Sequence, residues 1–363
     1  MITVRPLKDA AMLPGHTRVA AEIDRGWWRK EKLWFDVPSA YAADIREGDC
    51  WLMAVLPLAF ERGETLRICA PVDAALLANA EKIQRVWAGW RPAFRPVRIK
   101  APVAAPAANR ARTGLFFTGG VDSFFSLLHH DAAASANDRI EDLIYVWGYD
   151  IPLTKPAAFE RKLQTIQNIA AATGKNVITM TTNLRLTRLN RLNWGTHMHG
   201  PAVGAAGLLL GGRFKQLLFS SGYERNAPEP WGSHPLTTPL MSTAKTEFIE
   251  YGHQTTRFEK TALIAKSDLA LAHLHVCWSE ESAENCGQCE KCCRTMLTLD
   301  LMGALKRAIS FPARERLIEN TGRMRFKRSV AFEYLTEIRT QAVRSQRSDI
   351  VRALDASLAA NQT

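Results

Sequence analysis

Two short stretches of the sequence carry residue types that do chemistry. The first is Thr118-Gly119-Gly120-Val121-Asp122-Ser123. Adjacent glycines let a backbone turn tightly and come close to an anion. The amides of the loop and of a following helix then face that anion. The hydroxyls of Thr118 and Ser123 are further donors for phosphate oxygens. Asp122 repels a bare phosphate, so its expected partner is Mg²⁺. The same residues also make an ordinary Gly-Gly turn in which Asp122 and Ser123 cap the next helix. The context favours phosphate, because the apolar strand Leu115-Phe116-Phe117 precedes the glycines and a helical stretch follows them. No G-x-x-x-x-G-K-[ST] pattern occurs here and no G-x-G-x-x-G pattern stands at the loop, so neither a Walker loop nor a dinucleotide fingerprint is implied.

The second stretch holds Cys277, Cys286, Cys289 and Cys292, spaced C-x8-C-x2-C-x2-C. Four thiolates this close suit a tetrahedral, structural Zn²⁺. Cys293 competes with Cys292 for the fourth place. Reduced, unliganded thiols, or a redox or thiolating role for Cys289 or Cys292, are the other readings of the pattern. Cys50 and Cys69 stand alone in apolar surroundings and read as core residues.

The elements that must position these groups follow from periodicity. Residues 1–100 read as a small N-terminal α+β domain. In it, 33–37 and 66–72 are strands, 73–90 is a helix, and the apolar run 50–60 fits either. The Pro- and Ala-rich stretch up to residue 113 reads as a linker, with the interval 101–113 as its core. From Gly114 strands and helices alternate. Strands are expected at 114–117, 143–150, 176–182 and 215–222, with helices at 122–130, 157–174 and 201–212. That rhythm argues for right-handed βαβ units and a parallel sheet. Residues 243–276 read as mostly helical, 271–300 as the zinc-binding segment and 301–363 as charged C-terminal helices.

The 118–123 stretch resembles the SGGxDS loop of the PP-loop ATP pyrophosphatases, with Thr118 in place of the first serine. The resemblance implies an α/β fold with a five-stranded parallel sheet of the adenine nucleotide alpha hydrolase-like type over 114–270. It implies ATP cleaved between its α- and β-phosphates, with Thr118, Gly119, Gly120, Val121, Asp122 and Ser123 at the pyrophosphate end. Leu115, Phe116 and Phe117, with Gly148 and Tyr149 at the end of the second strand, would flank the adenosine. The cysteine spacing downstream is similar to that of the 7-cyano-7-deazaguanine synthases. So is the segment 238–252, which makes Lys245 the counterpart of a lysine near the nucleotide phosphates. From sequence alone Lys245 reads equally as a solvated lysine on a helix. The resemblance covers about half of the chain. A subgroup carrying a W-G-S-H-P segment, here Trp231–Pro235, is a further likeness.

The stretches that would read a deazaguanine differ from that family. Here they are 194–200 and 221–236. They supply His197, His199, Tyr223, Glu224, Trp231, Ser233 and His234 as candidates for an acceptor pocket at the carboxyl ends of the strands. Each histidine reads also as a structural hydrogen bonder or a helix cap. The expected activity is therefore adenylation of a substrate oxygen by ATP, followed by attack of ammonia, an amine or another nucleophile. The acceptor is a small molecule, a nucleobase or a protein. Lys and Arg number 47 against 36 Asp and Glu, a formal charge of +11, which leaves an RNA partner open. A tRNA-thiolating PP-loop enzyme and a non-catalytic nucleotide-binding partner module are the competing classes, and a homo-oligomer is compatible with all three. No apolar run reaches membrane-span length and no signal-peptide pattern opens the chain, so a cytoplasmic protein is expected.

Overall fold

The computed structural model describes residues 1–9, 13–26, 30–91, 94–105, 108, 111–222, 230–277, 284–312, 314–326 and 329–361. The strands are β1 (Ile2–Leu7), β2 (His16–Asp24), β3 (Lys30–Pro38), β4 (Leu66–Ile68), β5 (Ile99–Lys100), β6 (Arg112–Phe116), β7 (Asp142–Trp147), β8 (Asn176–Thr182), β9 (Phe214–Ser220) and β10 (Glu247–Tyr251). The α-helices are α1 (Glu47–Arg62), α2 (Ala74–Trp90), α3 (Val121–Ala133), α4 (Pro156–Thr173), α5 (His199–Leu209), α6 (Arg257–Ile264), α7 (Asp268–His273), α8 (Glu290–Leu301), α9 (Leu317–Arg323), α10 (Ser329–Arg344) and α11 (Ser348–Ala359). The fold is α/β. The chain divides into two compact units. One comprises Met1–Phe116, Ala134–Pro156 and Lys175–His253; the other comprises Phe117–Ala133, Ala157–Gly174 and Gln254–Thr363.

The first unit holds one mixed sheet of ten strands in the order β10-β9-β6-β7-β8-β3-β2-β1-β4-β5. The run from β10 to β8 is wholly parallel. β3 then pairs antiparallel with β8 through Phe35↔Thr182 and Asp36↔Thr181. Side chains reinforce that seam: Asn183 accepts from the Trp34 amide at 2.8 Å, and the Thr182 hydroxyl donates to the Trp34 carbonyl at 2.8 Å. The strands of the expected N-terminal domain are thus a continuation of the same sheet. The stretch expected as a linker is also tied down, with β5 parallel to β4 and Val103 bridged to Val72.

The run 50–60 is helix. It forms most of α1, which is apolar all round and buried from Gly48 to Phe60, as a central helix must be. Its neighbour α5 is rich in small residues. At Gly204 an added Cβ would meet Met241 at 2.5 Å and Met53 of α1 at 3.4 Å, so the small residue sets the helix spacing. The Asp73 side chain caps α2 by accepting from Ala75 and Leu76. Two expectations are corrected. Residues 247–251, within the stretch read as helical, form β10, because Phe248 and Glu250 alternate inward along a strand. Cys50 is buried, whereas Cys69 is exposed, because Leu66, Ile68 and Ala70 take the inward positions beside it.

The second unit is helical among its described residues. In α4 the buried positions Phe159, Lys162, Ile166 and Ile169 repeat every three or four residues. Helix α6 opens with a capping box between Thr256 and Glu259, and its buried stripe is Lys260, Thr261 and Ile264. No helix among the described residues is long and apolar enough to cross a membrane.

Candidate active site: a cationic glycine loop and a cysteine knuckle

The 118–123 stretch leaves β6 and enters α3. Gly119 sits at φ +72°, a left-handed conformation that suits glycine. Its carbonyl accepts from the His275 amide at 2.8 Å. The Ser123 hydroxyl donates to the Gly120 carbonyl at 3.1 Å, and the Phe124 amide donates to the same oxygen at 3.0 Å, starting the helix. Thr118 is exposed, with its hydroxyl beside Gly120.

Basic side chains gather around this loop. Asp122 pairs with Arg257 at 2.9 Å and accepts from Lys260 at 3.4 Å. Burial pushes the Asp122 carboxyl up, but the charges of Arg257, Lys260 and Lys291 outweigh it and hold the group below the usual range. Lys162 Nζ would lie 3.3 Å from a Cβ at Gly119, so it stands directly against the turn. Burial, then the charges of Lys162 and Lys291, lower the pKa of His275 to about 3, which leaves its ring neutral. Lys162 is 4% exposed and Lys260 1% exposed. Two lysines held this deep, one of them paired with Asp122, give the turn a cationic surround.

None of these four cations was singled out from the sequence. The missed signal is position: Lys162 and Lys260 occupy the buried stripes of α4 and α6, where a charge is costly to hold. Lys245 is instead an exposed residue in the turn ahead of β10 and not on a helix, its amide bonded to the Thr243 hydroxyl. Leu115, Phe117 and Val121 are buried. Phe117 meets Phe124 edge-on at 5.2 Å, and Phe116 lies 6.0 Å from Phe219. Tyr149, after Gly148, is buried and donates its hydroxyl to the Ala202 carbonyl at 2.5 Å.

The acceptor candidates lie in the first unit, where two segments meet through glycines. The Gly232 amide donates to the Gly195 carbonyl at 2.8 Å, and Trp231 lies so close over Gly195 that a Cβ there would meet its ring at 2.1 Å. His199 Nδ1 is 3.0 Å from the Ser233 hydroxyl, and its ring stands edge-on to Trp194 and Phe219. Rings therefore run from Phe116 through Phe219, His199 and Trp194 to Tyr149. His197 is 2.8 Å from the Thr196 hydroxyl and packs on Phe94; burial and the nearby Arg91 lower its pKa to about 4. His234 Nδ1 accepts from the Leu236 amide at 3.0 Å, and its ring meets Trp90. Tyr223 and Glu224 lie outside the described residues.

The cysteines converge as their spacing implied. The sulfurs of Cys277, Cys286, Cys289 and Cys292 lie within 4.8 Å of one another, and among the described residues no other such group of metal-ligating side chains forms. The Cys277–Cys289 and Cys286–Cys292 pairs are each 3.9 Å apart. A tetrahedron with metal–sulfur bonds of about 2.3 Å has edges of roughly 3.8 Å, so a metal such as zinc fits. Cys293 is buried, points its sulfur to the Gln288 carbonyl at 3.4 Å and stays outside the group. No protein-family model, no curated protein and no solved structure matches the chain.

Proposed function

We propose that the chain is an ATP-consuming enzyme of the PP-loop type that adenylates an acceptor and releases pyrophosphate. The observation that carries this reading is the Gly119–Ser123 turn at the start of α3, surrounded by Lys162, Arg257, Lys260 and Lys291. Such a cluster neutralises a departing pyrophosphate better than it would any neutral ligand. Within the mixed ten-stranded sheet, the parallel run β10-β9-β6-β7-β8, with β6 leading into the loop, supports the reading.

In this reading an acceptor oxygen attacks the α-phosphorus of ATP. The bond to the bridging oxygen breaks, and pyrophosphate leaves into the loop. Lys162, Lys260 and Arg257 take the role expected of Lys245. Ammonia, an amine or another nucleophile then displaces AMP. Mg²⁺ arriving with ATP would add charge neutralisation, and Asp122 would hold it in exchange for its pairs with Arg257 and Lys260. His199, with Ser233 and the adjoining rings, suits a planar acceptor. A zinc ion in the knuckle has a structural part.

The test is release of pyrophosphate and AMP from Mg-ATP, screened against carboxylate, deazapurine and tRNA pools, with Ser123→Ala and Lys162→Ala controls. Both products with one pool, and loss in the controls, support adenylation and name the acceptor class. ADP and phosphate would overturn it. Tight ATP binding with no turnover would favour a nucleotide-binding module.

A further inference from the structure

The cysteine knuckle is joined to the phosphate loop through a short chain of hydrogen bonds. The His275 amide holds the Gly119 carbonyl at 2.8 Å. The residues on either side of His275 are both held by one side chain, that of Asn285. Its oxygen accepts from the Val276 amide at 2.8 Å, and its nitrogen donates to the Leu274 carbonyl at 2.8 Å and to the Ser310 carbonyl at 3.0 Å. Asn285 is buried. It immediately precedes Cys286, and Val276 immediately precedes Cys277. The two ends of the clamp are therefore chain neighbours of two thiolates that would share one ion.

The bond to Gly119 matters because the peptide unit is planar and trans. Fixing the Gly119 carbonyl towards His275 turns the Gly120 amide, on the same peptide plane, the opposite way. The orientation of a loop donor is thus set from the knuckle side. We propose that Asn285 is a positioning residue, through which the metal-bound knuckle holds the Gly119 turn in its anion-binding form. Losing the metal, or oxidising its thiolates, loosens nucleotide binding without touching a group that contacts the nucleotide. This inference rests on the reading of the loop as the pyrophosphate site of ATP.

The test compares the full-length metal-loaded protein, its Asn285→Ala and Asn285→Asp variants, and wild type stripped with a chelator. Three quantities are read: metal per chain, Mg-ATP affinity by calorimetry, and hydrogen exchange over 117–121 and 274–277. Asn285→Ala is expected to keep about one metal per chain. It should bind Mg-ATP roughly tenfold more weakly or worse, with faster exchange in both segments, because three hydrogen bonds are lost. Asn285→Asp keeps an acceptor for Val276 and loses both donors, so it should fall between. Stripped wild type should behave like Asn285→Ala, and metal-loaded Asn285→Asp decides the matter if the alanine variant does not fold. Unchanged affinity and exchange in metal-loaded Asn285→Ala overturn the proposal, as does a loss that only follows lost metal. If wild type binds no ATP, the ATP reading fails, and the exchange data still judge the coupling.

Discussion

Asp122 forms an ion pair with Arg257 at 2.9 Å, which makes the one carboxylate of the glycine loop the anchor of its cations. The charges of Arg257 and Lys260 face this group before any nucleotide arrives. Asp122→Asn removes their counter-charge and should lower the melting temperature by about 4 °C or more. Inorganic pyrophosphate should restore part of that loss, because it replaces the missing negative charge. Thermal scans of both proteins with and without pyrophosphate check this. A variant as stable as wild type and indifferent to pyrophosphate would remove the basis for an anion site.

Lys162 and Lys260 should matter more than Lys245. Each is buried by the loop, whereas Lys245 is exposed ahead of β10. Lys162→Ala and Lys260→Ala are each expected to weaken ATP or pyrophosphate binding by roughly tenfold to a hundredfold, the range for hydrogen bonds to charged groups. Lys245→Ala should stay within about twofold, as surface charges do. Titration calorimetry on the three variants ranks them, and the reverse ranking would return the role to Lys245.

Acid should destabilise the protein partly through His197. Burial, then the charge of Arg91, lower its folded pKa from 6.5 to about 4. Between those values the unfolded chain binds the proton and the folded chain does not, so stability is lost as pH falls from about 6.5 towards 4. His197→Gln cannot titrate. Its melting temperature should therefore fall less steeply than that of wild type across that window. Parallel curves would mean that the ring titrates normally in the folded protein.

The cysteines divide into two classes that mutation can separate. Cys286→Ser removes a corner of the four-sulfur group and should abolish metal binding and lower the melting temperature. Cys293→Ser should keep about one metal per chain, since its sulfur lies outside that group. Metal analysis of the two purified variants is the check. Retention in Cys286→Ser with loss in Cys293→Ser would reassign the fourth ligand.

What could be read from the sequence was what is local in it. The glycine loop lies within six residues and the knuckle within sixteen, so their spacing exposes them. The strands β6, β7, β8 and β9 announce themselves as apolar runs. β10 does not, because Glu247 and Glu250 interrupt its two-residue alternation and imitate a charged helix. The cations of the loop come from α4, α6 and α8, and only the fold brings them to Asp122. Lys162 and Lys260 did leave a trace, as charges at apolar positions of a helical repeat. Asn285 left none, since a lone asparagine among cysteines reads as loop.

The second unit is assembled from three separated stretches of chain, and this fixes an order of events during synthesis. Asp122 emerges 138 residues before Lys260. At ordinary translation rates that interval is roughly 7–28 s. Throughout it, the nascent chain carries the glycine turn without the lysine, arginine and His275 amide that later hold it. On the proposed reading, nucleotide capture through these groups waits until the chain has passed residue 275, and a ribosome stalled before residue 257 should display a chain blind to ATP.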